Sequence, residues 1–162
     1  MEIVTLEEIN SVRERFSAFT EEEIRRLMKT FEKKQTALLV YIAAVAEREE
    51  LNEEEYDVLI STSLLIWQTM ADKFPDLRKV AVERVEELDN RMFETLESML
   101  KKSDESHEKS IQRMIEAHKQ PNLLGTISEM SIDTETAVRD ELKGILFFTA
   151  KNVLDALVEA SS

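Results

Sequence analysis

The chain has 162 residues, with 34 Asp or Glu against 21 Lys or Arg, a formal charge of −13, no cysteine, two glycines and two prolines. That length fits one domain able to bury roughly 70% of the surface its unfolded chain exposes. The missing cysteine removes disulfides, thiolate metal sites and a cysteine nucleophile. The negative field opposes nucleic acid and anionic membranes, which are bound chiefly through Lys and Arg, so neither is expected as a partner.

The start, Met1-Glu2-Ile3-Val4, shows neither the basic nor the apolar part of a signal or transit segment, so the expected location is cytoplasmic. Helix boundaries must be read from caps, because Gly and Pro are so scarce. Thr5 with Glu8, Thr20 with Glu23 and Asn52 with Glu55 each place a capping side chain three residues before a glutamate. Residues 1–19 read as a leading helix carrying Leu6, Ile9, Val12 and Phe16. From Thr20 one long helix is expected, amphipathic through Phe31 and apolar from Leu38 to Ala46. It turns at an acidic corner near Glu50 into a second helix from Asn52 to Lys73, giving a central antiparallel hairpin over 20–73. The Val58–Met70 stretch is apolar on nearly every side and needs protein around it, yet it falls short of the roughly 20 residues that span a bilayer.

Pro75 opens a third helix over 75–102, with Leu77, Ala81, Val85, Leu88, Met92, Leu96 and Met99 on one stripe. Short helices fill 103–131: Ser103 starts one that Pro121 ends, and Asn122 caps another. The last helix opens at Asp133 or Thr134 and runs to about residue 160. No internal repeat of useful period is visible. The expected fold is an all-α, single-domain bundle of five or six helices.

Chemistry is less legible. Carboxylates three apart project from one helical face and can share a divalent cation, and Glu47 with Glu50 and Glu86 with Asp89 are such pairs. An ExxE pair followed on another helix by ExxD resembles the magnesium site of the all-α nucleotide pyrophosphohydrolases of the MazG and dUTPase-like kind. The likeness is confined to these four residues, and here the pairs lie farther apart in sequence than in that family. It implies Mg or Mn and a nucleotide substrate. His107 and His118 lie on one stripe of a helix but roughly 16 Å apart along its axis, so they could meet on one metal only across two chains. A ferritin-like site would need Glu-x-x-His pairs, and there are none.

The reading these observations favour is a helical interaction protein without catalysis of its own and with no cofactor. It would self-associate as a homodimer through the wide apolar arc that Phe147 and Phe148 give the last helix. The alternatives are the metal-dependent pyrophosphohydrolase and a small-molecule sensor with its pocket between Tyr41, Trp67 and the last helix.

Overall fold

The structure, a computed structural model, describes residues 1–133 and 138–162, the side chain of Asp104 excepted. Among these residues it holds eight helices and no strand: α1 Leu6–Ser17, α2 Glu21–Lys34, α3 Thr36–Arg48, α4 Glu53–Lys73, α5 Val82–Leu100, α6 Asp104–Ala117, α7 Pro121–Ser131 and α8 Asp140–Ala160. The all-α domain is as expected; the count of five or six is not. The three capping boxes at Thr5, Thr20 and Asn52 all form, each with reciprocal hydrogen bonds. Among the described residues no helix is long and apolar enough to cross a membrane.

One expected helix is divided by a break that distant residues impose. The expected long helix from Thr20 divides at Gln35, whose backbone leaves the helical region at φ −138 and ψ 54. Its buried side chain donates to the Arg78 carbonyl (2.8 Å) and accepts from the Val80 amide (2.9 Å). The same bonds hold 78–80 outside any helix, and the third helix starts at Val82 rather than near Pro75. Pro121 does not end a helix but opens α7, where its missing N–H costs nothing. Asn122 is likewise not the cap: its amide donates to the Val4 carbonyl (2.8 Å). The last helix starts at Asp140, after Asp133; the other expected start, Thr134, lies outside the described residues.

The two halves of the chain repeat one design, contrary to the expectation of no repeat. Each runs from an extended segment (Glu2 to Val4; Arg78 to Val80) through a first helix, a 14-residue helix, a glutamine, a shorter helix and a 21-residue helix. The glutamines head matching sequences, Gln35-x-x-Leu38-Leu39-x-x-Ile42 and Gln120-x-x-Leu123-Leu124-x-x-Ile127. Gln120 is buried and treats the first segment as Gln35 treats the second, donating to the Glu2 carbonyl (2.7 Å) and accepting from the Val4 amide (2.8 Å). Buried positions coincide: Leu59 with Leu146, Ile60 with Phe147, Thr62 with Thr149, Ile66 with Val153, Trp67 with Leu154 and Met70 with Leu157 stand at equal places in α4 and α8. Each half clamps the other's extended segment, the reciprocity of a two-fold interface built into one chain.

The centre of the molecule is accordingly α4 against α8, not a hairpin of α3 and α4, which touch only briefly. The apolar arc of α8 is covered within the chain by α4, α5 and α7: Phe147 and Phe148 are 0% and 5% exposed. Burial on this scale supplies the main stabilisation, about 25 cal/mol for each Å² of apolar surface removed from water.

Candidate functional site

The halves differ where aromatic side chains fill the first. There Phe16 and Phe19 stack at the end of α1 (5.6 Å between centroids), and Phe31 of α2 packs on Trp67 of α4 (5.2 Å). In the second half α5 carries Met92 and Thr95 at the places of Phe16 in α1 and Phe19 just after it, Leu154 stands for Trp67, and α6 turns Ile111, Met114 and Ile115 inward without burying any of them. A groove of about 550 Å³ lies between α5, α8 and the C-terminal end of α6. Its floor is apolar, with Leu88, Met92, Phe148 and Val158 buried beneath Met114. That volume suits a small ligand.

The groove's charge runs against the chain's net charge of −13. Arg84, Arg91, Lys119 and Lys151 line it against only Asp155 and Glu159. Arg84 grips Glu159 with two hydrogen bonds (2.6 and 2.7 Å), and Arg91 reaches Glu87. Lys151 bonds Asp155 at 2.7 Å, while Lys119 is exposed and makes no ion pair among the described residues. Asp155 also takes His118 Nε2 at 2.6 Å. The Gln120 amide donates to His118 Nδ1 (2.9 Å), so the ring carries its proton on Nε2 and donates it to Asp155. Burial pushes the Asp155 carboxyl up, but the His118 hydrogen bond and the Lys151 charge outweigh it and hold it low. The carboxylate is therefore ionised and fully engaged.

Behind the groove, Asn152 of α8 donates to the Tyr41 hydroxyl (2.9 Å), which donates to Asp89 (2.9 Å). Arg48 closes the chain with two bonds to the same carboxylate (2.8 and 3.3 Å). Burial, chiefly, raises the Tyr41 hydroxyl well above its ordinary value, so it stays a neutral donor.

The residues singled out from the sequence are thus dispersed. Asp89 is held by Arg48 and Tyr41, partners no local spacing announces. Glu47 and Glu86 are exposed, and Glu50 sits at φ 51 in the turn after α3, its carbonyl accepting from Arg139 (3.1 Å). His107 bonds the Met99 carbonyl through Nε2, whereas His118 faces Asp155. Among the described residues no three histidine, aspartate or glutamate side chains gather closely enough to hold a metal ion. Tyr41 is joined to the last helix through Asn152, while Trp67 lines a different cavity, so the two aromatics do not share one pocket. Sequence reading missed the groove residues Arg91, Lys119 and Lys151; unequal aromatic content of two aligned halves was the signal available for them.

Comparison with known proteins adds no identity: no family model, no curated protein and no solved structure matches this chain.

Proposed function

We propose that this protein acts by binding rather than by catalysis, and that its ligand is a small organic anion with an apolar body, seated in the groove between α5, α6 and α8. The observation that carries this reading is the groove itself, whose floor of Leu88, Met92, Phe148 and Val158 is apolar and whose rim is basic. The rim favours a negatively charged ligand: Lys119 makes no ion pair among the described residues, while Arg84, Arg91 and Lys151 are held by Glu159, Glu87 and Asp155. The engagement of His118, Asp155 and Asp89 in hydrogen bonds supports a site that holds rather than transforms.

Octanoate is a suitable probe and octylamine its control, sharing the tail and reversing the charge. A ligand that binds only the folded state at ten times its Kd adds about 1.4 kcal/mol, which is roughly 3–6 °C in Tm for a chain of this size. The expected result is such a rise with octanoate, none with octylamine, and no response in Thr95→Phe, which restores a ring to the groove. Equal response to both probes, or an undiminished response in Thr95→Phe, contradicts the reading.

A further inference from the structure

A second cavity, of about 360 Å³, lies where the ends of α2 and α4 meet the segment leading into α5. Lys33, Lys34 and Lys79 rim it, Trp67, Phe74 and Leu77 supply apolar wall, and among the described residues no acidic side chain lines it. All three lysines are exposed, and none forms an ion pair among the described residues. The nearby Gln35 side chain is consumed by Arg78 and Val80, so it does not neutralise the rim.

Lysines at a helix end ordinarily offset the helix dipole, and Lys33 and Lys34 do stand in the last turn of α2. Two helix ends carry about half a negative charge each, however, so three ammonium groups exceed them by roughly two charges. The repeat argues the same way. Lys34-Gln35 is matched by Lys119-Gln120, but Trp67 is matched by Leu154 and Lys79 by Ile3. A purely structural role at a helix end would need neither the tryptophan nor the third lysine.

Trp67 lines the cavity although it is only 3% exposed, and its indole N–H makes no hydrogen bond among the described residues. An apolar wall and a surplus of about two positive charges together suit a dianionic head on an apolar substituent.

We propose that the cavity rimmed by Lys33, Lys34 and Lys79 is a second binding site, for a phosphate monoester bearing a short apolar group. The head meets the lysines and the substituent lies against Phe74 and Leu77. This site is separate from the α5–α8 groove and does not depend on it.

Trp67 is the single tryptophan, so its emission reports the cavity directly. Titration of the full chain with hexyl phosphate is expected to shift that emission saturably and more weakly as salt rises. Lys33→Glu with Lys79→Glu should weaken binding at least tenfold, Lys79→Gln alone should weaken it measurably, and Thr95→Phe should leave it unchanged. Hexylamine should not compete, and inorganic phosphate should bind at least tenfold more weakly than the ester. The proposal is overturned by no saturable shift at millimolar hexyl phosphate, by equal binding of hexylamine or of inorganic phosphate, or by a Lys79→Gln protein that binds as the wild type does.

Discussion

Glu55→Ala is expected to lower stability at pH 7 by about 3–4 kcal/mol, among the largest effects of any single substitution in this chain. The Glu55 carboxylate is fully buried. It accepts from the Asn52 amide (3.0 Å), from the Arg139 amide (2.9 Å) and from two guanidinium nitrogens of Arg139 (2.8 and 3.1 Å). One side chain thus caps α4 and holds the lead-in to α8 against it. Alanine would orphan both amides and strand Arg139, though the guanidinium, 45% exposed, recovers some hydration, which keeps the expected cost at the lower end for a broken buried pair.

The same carboxylate gives the effect a pH signature. The Arg139 hydrogen bonds, working against burial, depress its pKa from 4.5 to about 2. A folded-state value below the unfolded one means that the stabilisation is complete above about pH 5 and is lost as pH falls through the interval from 4.5 toward 2. Urea unfolding at pH 7 and at pH 3 should therefore show the gap between wild type and Glu55→Gln narrowing in acid. A gap that is constant across this range would show that the ion pair is not its source.

Gln35→Ala and Gln120→Ala are each expected to cost about 2–3 kcal/mol, because each removes the partner of a buried backbone amide and of a carbonyl at once. Val4 and Val80, whose amides would be orphaned, are 0% and 9% exposed. Similar losses in the two variants, measured by denaturant midpoint at unchanged slope, are the outcome expected of equivalent clamps. A large loss for one and none for the other would break the equivalence of the halves.

These residues also mark the boundary of what local pattern reveals. Thr5, Thr20 and Asn52 announce their helices because a capping box is complete within four residues. The buried faces of α4 and α8 are equally plain from their apolar density. Gln35 and Gln120 look like ordinary helical residues in sequence, and only the extended segments they hold, far along the chain, convert them into breaks. The third helix was placed too early for the same reason, since Leu77 and Ala81 fit its stripe but Arg78 and Val80 are claimed by Gln35.

The candidate site was hidden more deeply. Its lining comes from three helices, and the relation between the halves shows in only a few identical residues, Gln35-x-x-Leu38-Leu39-x-x-Ile42 against Gln120-x-x-Leu123-Leu124-x-x-Ile127. Asp89 illustrates the converse: its spacing from Glu86 suited a cation, yet Arg48 and Tyr41 on α3 already supply the positive charge and the donor that a carboxylate there needs. A spacing rule cannot see a neighbouring helix.

Methyl NMR of the seven methionines during titration with octanoate reads directly whether the α5–α8 groove holds a small organic anion. Met92 and Met114 line the groove, whereas Met28 and Met70 pack in the first half. The account predicts saturable shifts of the Met92 and Met114 methyl groups with one affinity, while Met28 and Met70 stay in place. Unmoved Met92 and Met114 signals at saturating octanoate, or shifts centred on Met28 and Met70, would contradict it.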